Sequence, residues 1–148
     1  KDGRSIAYIH NPSILIQIEA VKSTAYAIEY IDSPSEAVQL AAVTTDGCIL
    51  RLLDNATDSV KWKALLSDYQ SMIYVKNPTE EMQEYVVLNH PGMIRHIENP
   101  TEKVQLMAVE LDPSVILSMK SSSEKAKLRA IELDPSILGK LLTSAKTS

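Results

Sequence analysis

The chain repeats itself every 22 residues, and that period restricts the possible folds more than any other feature. Six blocks follow one another without a gap, at 9–30, 31–52, 53–74, 75–96, 97–118 and 119–140. They open on Ile9, Ile31, Leu53, Val75, Ile97 and Met119. The fifth block, IENPTEKVQLMAVELDPSVILS, is the most regular.

Each column of the repeat has a physical reading. The third position is always Asn or Ser: Asn11, Ser33, Asn55, Asn77, Asn99 and Ser121. Side chains of this type cap helix starts, so these residues are the expected N-caps. Pro12, Pro34, Pro78 and Pro100 follow them, at what would then be the first helical position. Three residues after the expected cap stands an acid in five blocks: Glu36, Asp58, Glu80, Glu102 and Glu124. That spacing suggests a capping box, and an acid there suits the positive helix end. The first block has Ile14 instead.

A helix of about ten residues is expected next, with apolar positions such as Val38, Leu40, Ala42 and Val43. One column is small: Ala20, Ala42, Ala64, Ala108 and Ala130, with Val86 the exception. Small residues at a fixed phase let neighbouring helices come close. A second start signal follows at Asp46-Gly47, His90-Pro91, Asp112-Pro113 and Asp134-Pro135. It leaves room for only about five or six residues of helix, partly 3₁₀ in character. The expected anchors of this short helix are Ile28, Leu50, Met72, Ile94, Ile116 and Leu138, with His90 as a cap.

Helices this short are marginal alone, so the copies must bury one another's faces. A bundle of long helices is the rival architecture, but proline recurring every 22 residues argues against it. The ends extend the pattern. Residues 1–8 match the tail of a preceding repeat or a cap, since Asp2-Gly3 parallels Asp46-Gly47. Residues 141–148 begin a seventh unit, lack its acid and are expected to fade into a polar tail. The expectation is one all-α domain over 1–148, a right-handed α-solenoid of six repeats.

The blocks N-P-T-E-x-V-Q-L-x-A-V and D-P-S-V-I resemble short two-helix repeats of bacterial and bacteriophage proteins, and leucine-rich repeat variant solenoids more distantly. The resemblance covers residues 1–142 and implies architecture. It brings no catalytic residues with it. Its phage-like side implies a partner-sequestering or host-directed inhibitor. The third block departs most, with Ala56 for Pro and Trp62 for Leu, so local irregularity is expected there.

Chemistry is sparse. No phosphate-binding glycine loop, H-E-x-x-H, C-x-x-C or G-x-S-x-G motif is present. His90 and His96 are poorly spaced as metal ligands and lack a third partner. The sequence therefore suggests no enzyme, metal or cofactor. Cys48 is the single cysteine, which fits a reducing cytoplasmic setting and a buried role. No apolar run approaches the length needed to span a membrane. Net charge is −4, which argues against general nucleic-acid binding.

Gln17, Gln39, Gln83 and Gln105 share one phase, with Lys61 and Lys127 in the other blocks. They either bond loop backbone of the next repeat or form a ligand-reading ladder. Five of the six tyrosines, Tyr8, Tyr26, Tyr30, Tyr69 and Tyr74, lie in or near the short helices. Tyr8, Tyr30, Tyr74 and His96 occupy one column, and Arg51 and Arg95 the column before it. These six are the expected partner-binding ridge, because Tyr and Arg are enriched at hot spots. The competing role for the tyrosines is packing between repeats. A second, apolar patch is expected at Leu66, Tyr85, Leu88 and Met107, where other blocks carry charged or small residues. The expected function is protein recognition, with single-stranded nucleic-acid binding along the ridge as the alternative.

Overall fold

The computed structural model describes residues 2–147, and the side chains of residues 2–146. Lys1 of the leading partial repeat and Ser148 of the tail lie outside the described residues. The described residues form helices and no strand. Ten-residue α-helices α1 (Ile14–Ser23), α2 (Glu36–Thr45), α3 (Asp58–Ser67), α4 (Glu80–Asn89), α5 (Glu102–Leu111) and α6 (Glu124–Leu133) recur at the 22-residue period. Between them run 3₁₀ helices η1 (Gly3–Tyr8), η2 (Ala25–Tyr30), η3 (Gly47–Leu52), η4 (Tyr69–Tyr74), η5 (Pro91–His96) and η6 (Pro113–Leu117). The final helix, α7, is Ser136–Thr147. This is an α-solenoid of about six repeats. The chain forms two compact units, residues 1–76 and 77–148.

In the first unit α1, α2 and α3 pack in succession, as do η1 to η4. In the second, α4, α5 and α6 pack in succession, η5 packs on η6, and α7 closes on η6 and α6. The small column does what its size requires. Ala42, Ala64, Val86, Ala108 and Ala130 are fully buried. Val38, Val43, Val104 and Val109 fill the space beside them, and none is exposed. The third repeat keeps the same ten-residue helix, so the substitutions Ala56 and Trp62 do not disturb its length.

The helix starts are two residues later than the third column suggests. The caps are Ser13, Ser35, Thr57, Thr79, Thr101 and Ser123. Each hydroxyl oxygen accepts the backbone N–H three residues on, as Thr101 does from Val104 at 3.3 Å. Proline therefore precedes the cap, and the acids open the first turn rather than closing a capping box. Asn11, Ser33 and Asn77 instead hold the left-handed backbone, with φ of 49°, 48° and 53°. Asn is among the residues that tolerate this region best, so at these three positions the residue turns the chain rather than capping the helix.

The short helices are capped by Asp2, Asp46, Asp68 and Asp112, and Asp134 makes the same bond to Ser136 at the start of α7. His90 occupies that position but makes no capping hydrogen bond. Ile28, Leu50, Met72, Ile94 and Ile116 are buried anchors, whereas Leu138 is 47% exposed. The reason lies in α7. The seventh block has Ala145 where the other six have a Ser or Thr cap, and the chain continues as α-helix through residue 147. It is a helix where a polar tail was expected. Its wider turn leaves Ile137 as the buried contact instead.

Gly47 begins η3 where its backbone lies close to α3. A Cβ there would stand 2.7 Å from the Ala64 carbonyl oxygen and 3.3 Å from Asp68 Cβ. Gly47→Ala is expected to cost about 1–3 kcal/mol through this overlap. Gly92→Ala, with nothing within 4 Å of the added carbon, should stay within about 0.5 kcal/mol of the parent. Urea midpoints of the two variants check the pair.

Candidate functional site

The Gln column is structural. Gln17, Gln39, Gln83 and Gln105 donate through Nε2 to the carbonyl of the proline five residues back, at 2.9, 3.0, 3.2 and 2.9 Å. In the second unit the same amides also reach forward. Gln83 Oε1 accepts the Thr101 N–H at 3.1 Å, and Gln105 Oε1 accepts the Ser123 N–H at 2.7 Å. One side chain thus ties its own loop to the next, and Gln83 and Gln105 are buried while doing so. Lys61 replaces the amide by donating Nζ to the Lys76 carbonyl at 2.8 Å.

The ridge residues divide between the units. In the first, η1 to η4 stack and carry Tyr8, Tyr26, Tyr30, Arg51 and Tyr74 on consecutive elements. Tyr8 is 92% and Tyr30 50% exposed. Arg51 is exposed, and its Nη2 donates to the Tyr26 hydroxyl at 3.0 Å. The guanidinium carbon also stands 5.4 Å from the centre of the Tyr26 ring, within cation–π range. The Tyr26 hydroxyl favours the charged guanidinium and raises its pKa; desolvation opposes this, and Tyr74 and Glu29 add lesser support.

Tyr74 differs from Tyr8 and Tyr30. It is half-buried against the cluster of Val43, Leu50, Val60 and Ala64, so its ring packs between repeats. Arg4 is held by Asp2, with Nε 3.2 and 3.1 Å from the two carboxylate oxygens. That pair lowers the Asp2 pKa, first through the side-chain hydrogen bond and then through the Arg4 backbone N–H.

In the second unit Arg95 and His96 are both exposed at the end of η5. Arg95 Nε donates to His96 Nε2 at 3.0 Å, which requires that nitrogen to be unprotonated. The His96 pKa is lowered, by desolvation first and then by repulsion from Arg95 and Lys120.

Leu66 in the first unit is 61% exposed and Leu88 in the second 59% exposed, whereas Tyr85 and Met107 are half-buried. A larger apolar surface lies on the first repeat. Ile9, Ile14, Leu15 and Ile16 are exposed there, while Val38 and Val60, at the Ile16 position, are buried. Its signal in the sequence was Ile14 in the acid column. Cys48 is half-buried, with Sγ 3.8 Å from Asp68 Oδ2, and burial is the first cause of its raised pKa.

Among the described residues no three His, Cys, Asp or Glu side chains are grouped to hold a metal ion, and no helix is long and apolar enough to cross a membrane. The fold and these surfaces define an α-helical repeat protein. Comparison with family models, curated proteins and solved structures found no match.

Proposed function

We propose that this chain is a non-enzymatic recognition module that binds another protein along the edge made by the 3₁₀ helices η1 to η4 of its first unit. The observation that carries this reading is the arrangement on the first unit: Tyr8 and Tyr30 exposed on η1 and η2, and an Arg51 on η3 pinned by Tyr26. Rigid aromatic rings and a fixed guanidinium are the groups that carry binding energy at protein interfaces. Tyr26 holds the Arg51 guanidinium in place before a partner arrives, which lowers the ordering cost of binding. The resemblance to phage and bacterial repeats extends the proposal to a sequestering or inhibitory role.

The test is a titration of a captured native partner with the intact chain and with Tyr30→Ala and Arg51→Ala. Each variant should weaken binding by at least about 2 kcal/mol, roughly 30-fold, with little change in thermal melt. Tyr74→Ala should lower the melt as well, because its ring packs against the core. Unchanged affinity in both exposed-site variants would remove the ridge from the interface.

A further inference from the structure

We infer that the Arg51–Tyr26 pair is a preformed carboxylate receptor, and that the edge of the first unit takes an acidic segment of its partner protein. This rests on the proposed recognition role and names the chemistry of the occupant. The chain has four arginines. Arg4 is paired with Asp2, and Arg129 with Glu110 and Glu132. Among the described residues Arg51 and Arg95 have no carboxylate within ion-pair distance. In a chain of net charge −4, these two guanidinium groups stand in the same column of the repeat without a direct ion-pair partner among the described residues, and Arg51 feels only the more distant Glu29.

Arg51 is also held in place. Its bond to Tyr26 uses Nη2, and among the described residues no other hydrogen bond engages Nε or Nη1. A guanidinium has five N–H donors in a flat fork, so a carboxylate can still be gripped by two parallel bonds. The Tyr26 oxygen accepts from Arg51, which leaves its own O–H to donate to the same carboxylate. Tyr26 and Tyr30 are both exposed on η2.

Nucleic acid fits less well. A phosphate backbone carries a charge at every nucleotide. Here Arg4 is already neutralised by Asp2, and Glu29 is exposed on the same 3₁₀ helix as Tyr26 and Tyr30. A segment with a few spaced carboxylates can seat one on Arg51 and keep the others clear of Glu29.

The test uses the full chain with fluorescein-labelled hexaglutamate, hexalysine and hexathymidylate, followed by anisotropy at about 20 and 150 mM salt. Hexaglutamate should bind best and more weakly at the higher salt. Arg51→Gln should cut its affinity about fivefold or more. Tyr26→Phe keeps the ring, loses the hydroxyl and should cut it about two- to threefold. Arg129→Gln, whose native partners are carboxylates already in the chain, should leave it unchanged. Equal binding of hexaglutamate and hexalysine, or no effect of Arg51→Gln, would overturn the inference. Tighter hexathymidylate binding would overturn it in favour of nucleic acid. If hexaglutamate fails while Tyr30→Ala still weakens the native complex, the acidic occupant is wrong and the recognition edge stands. If both fail, the edge itself is wrong.

Discussion

Gln105→Glu, a change of one amide nitrogen for oxygen, is expected to destabilise the protein by about 2–4 kcal/mol at neutral pH. The native amide is used at both ends: Nε2 donates to the Pro100 carbonyl and Oε1 accepts from Ser123. A carboxylate keeps the second bond and turns the first into oxygen facing oxygen. It does so at a buried position. Protonation restores the donor, so the folded-state pKa of the introduced acid is raised above its unfolded value. The sign follows from linkage: the lost stability returns as pH falls below the raised pKa toward the ordinary Glu value near 4.3, and disappears again as pH rises through it. Gln105→Leu should cost a similar amount, leaving a carbonyl and an N–H unpaired, but with no such pH dependence.

Lys127 gives the control. It stands in the same column, but no later loop follows it, and it pairs with Glu124 at 2.9 Å on the surface. Lys127→Gln should therefore change stability by less than about 0.5 kcal/mol. Urea unfolding of the three variants at pH 4.5 and 7.5 separates these outcomes. A neutral Gln105→Glu would mean that the amide ties nothing together.

The architecture was legible because it is written in columns. The period gave the ten-residue α-helices and the short helices, and the alanine column marked where the helices come closest. The two roles open to the glutamines were separated by geometry, which placed loop backbone at both ends of Gln83 and Gln105. The caps were misplaced because N-P-T-E offers two capping residues, Asn and Thr. In three blocks the Asn or Ser is instead taken up by a left-handed turn, with positive φ at Asn11, Ser33 and Asn77. A sequence signal did exist: the fifth position is a hydroxyl residue in all six blocks, even where proline is missing. Leu138 was misjudged because a column cannot say that the last short helix changes pitch.

The site was less legible. Tyr8, Tyr30 and Arg51 are exposed as expected, but Tyr74 shares their column and packs inward. The Tyr26–Arg51 contact joins residues 25 apart, not 22, so it crosses columns and no single phase reveals it.

Deleting residues 97–118 should leave a folded, helical and less stable protein, whereas deleting 97–107 should destroy cooperative folding of the second unit. The longer deletion joins like to like. Gln83 Oε1, which now accepts from Thr101, meets the equivalent N–H of Ser123. Glu80 and Glu84, now paired with Lys103, meet Lys125. Arg129 loses Glu110 and finds Leu88 at that phase, and Lys120 loses Glu98, so surface ion pairs go with one stacking interface. The shorter deletion joins η5 to the middle of α5. It removes the Thr101 cap and Val104 and leaves Gln83 without its forward partner. In a solenoid, stability is a sum of repeats and nearest-neighbour interfaces, so register matters more than the number of residues removed. The decisive measurement is the thermal melt of both deletions by circular dichroism. The account predicts a sharp transition at reduced temperature for the 97–118 deletion and a broad, low-amplitude one for the 97–107 deletion. Matching melts, or a better-behaved 97–107 product, would contradict the 22-residue repeat as the unit of this fold.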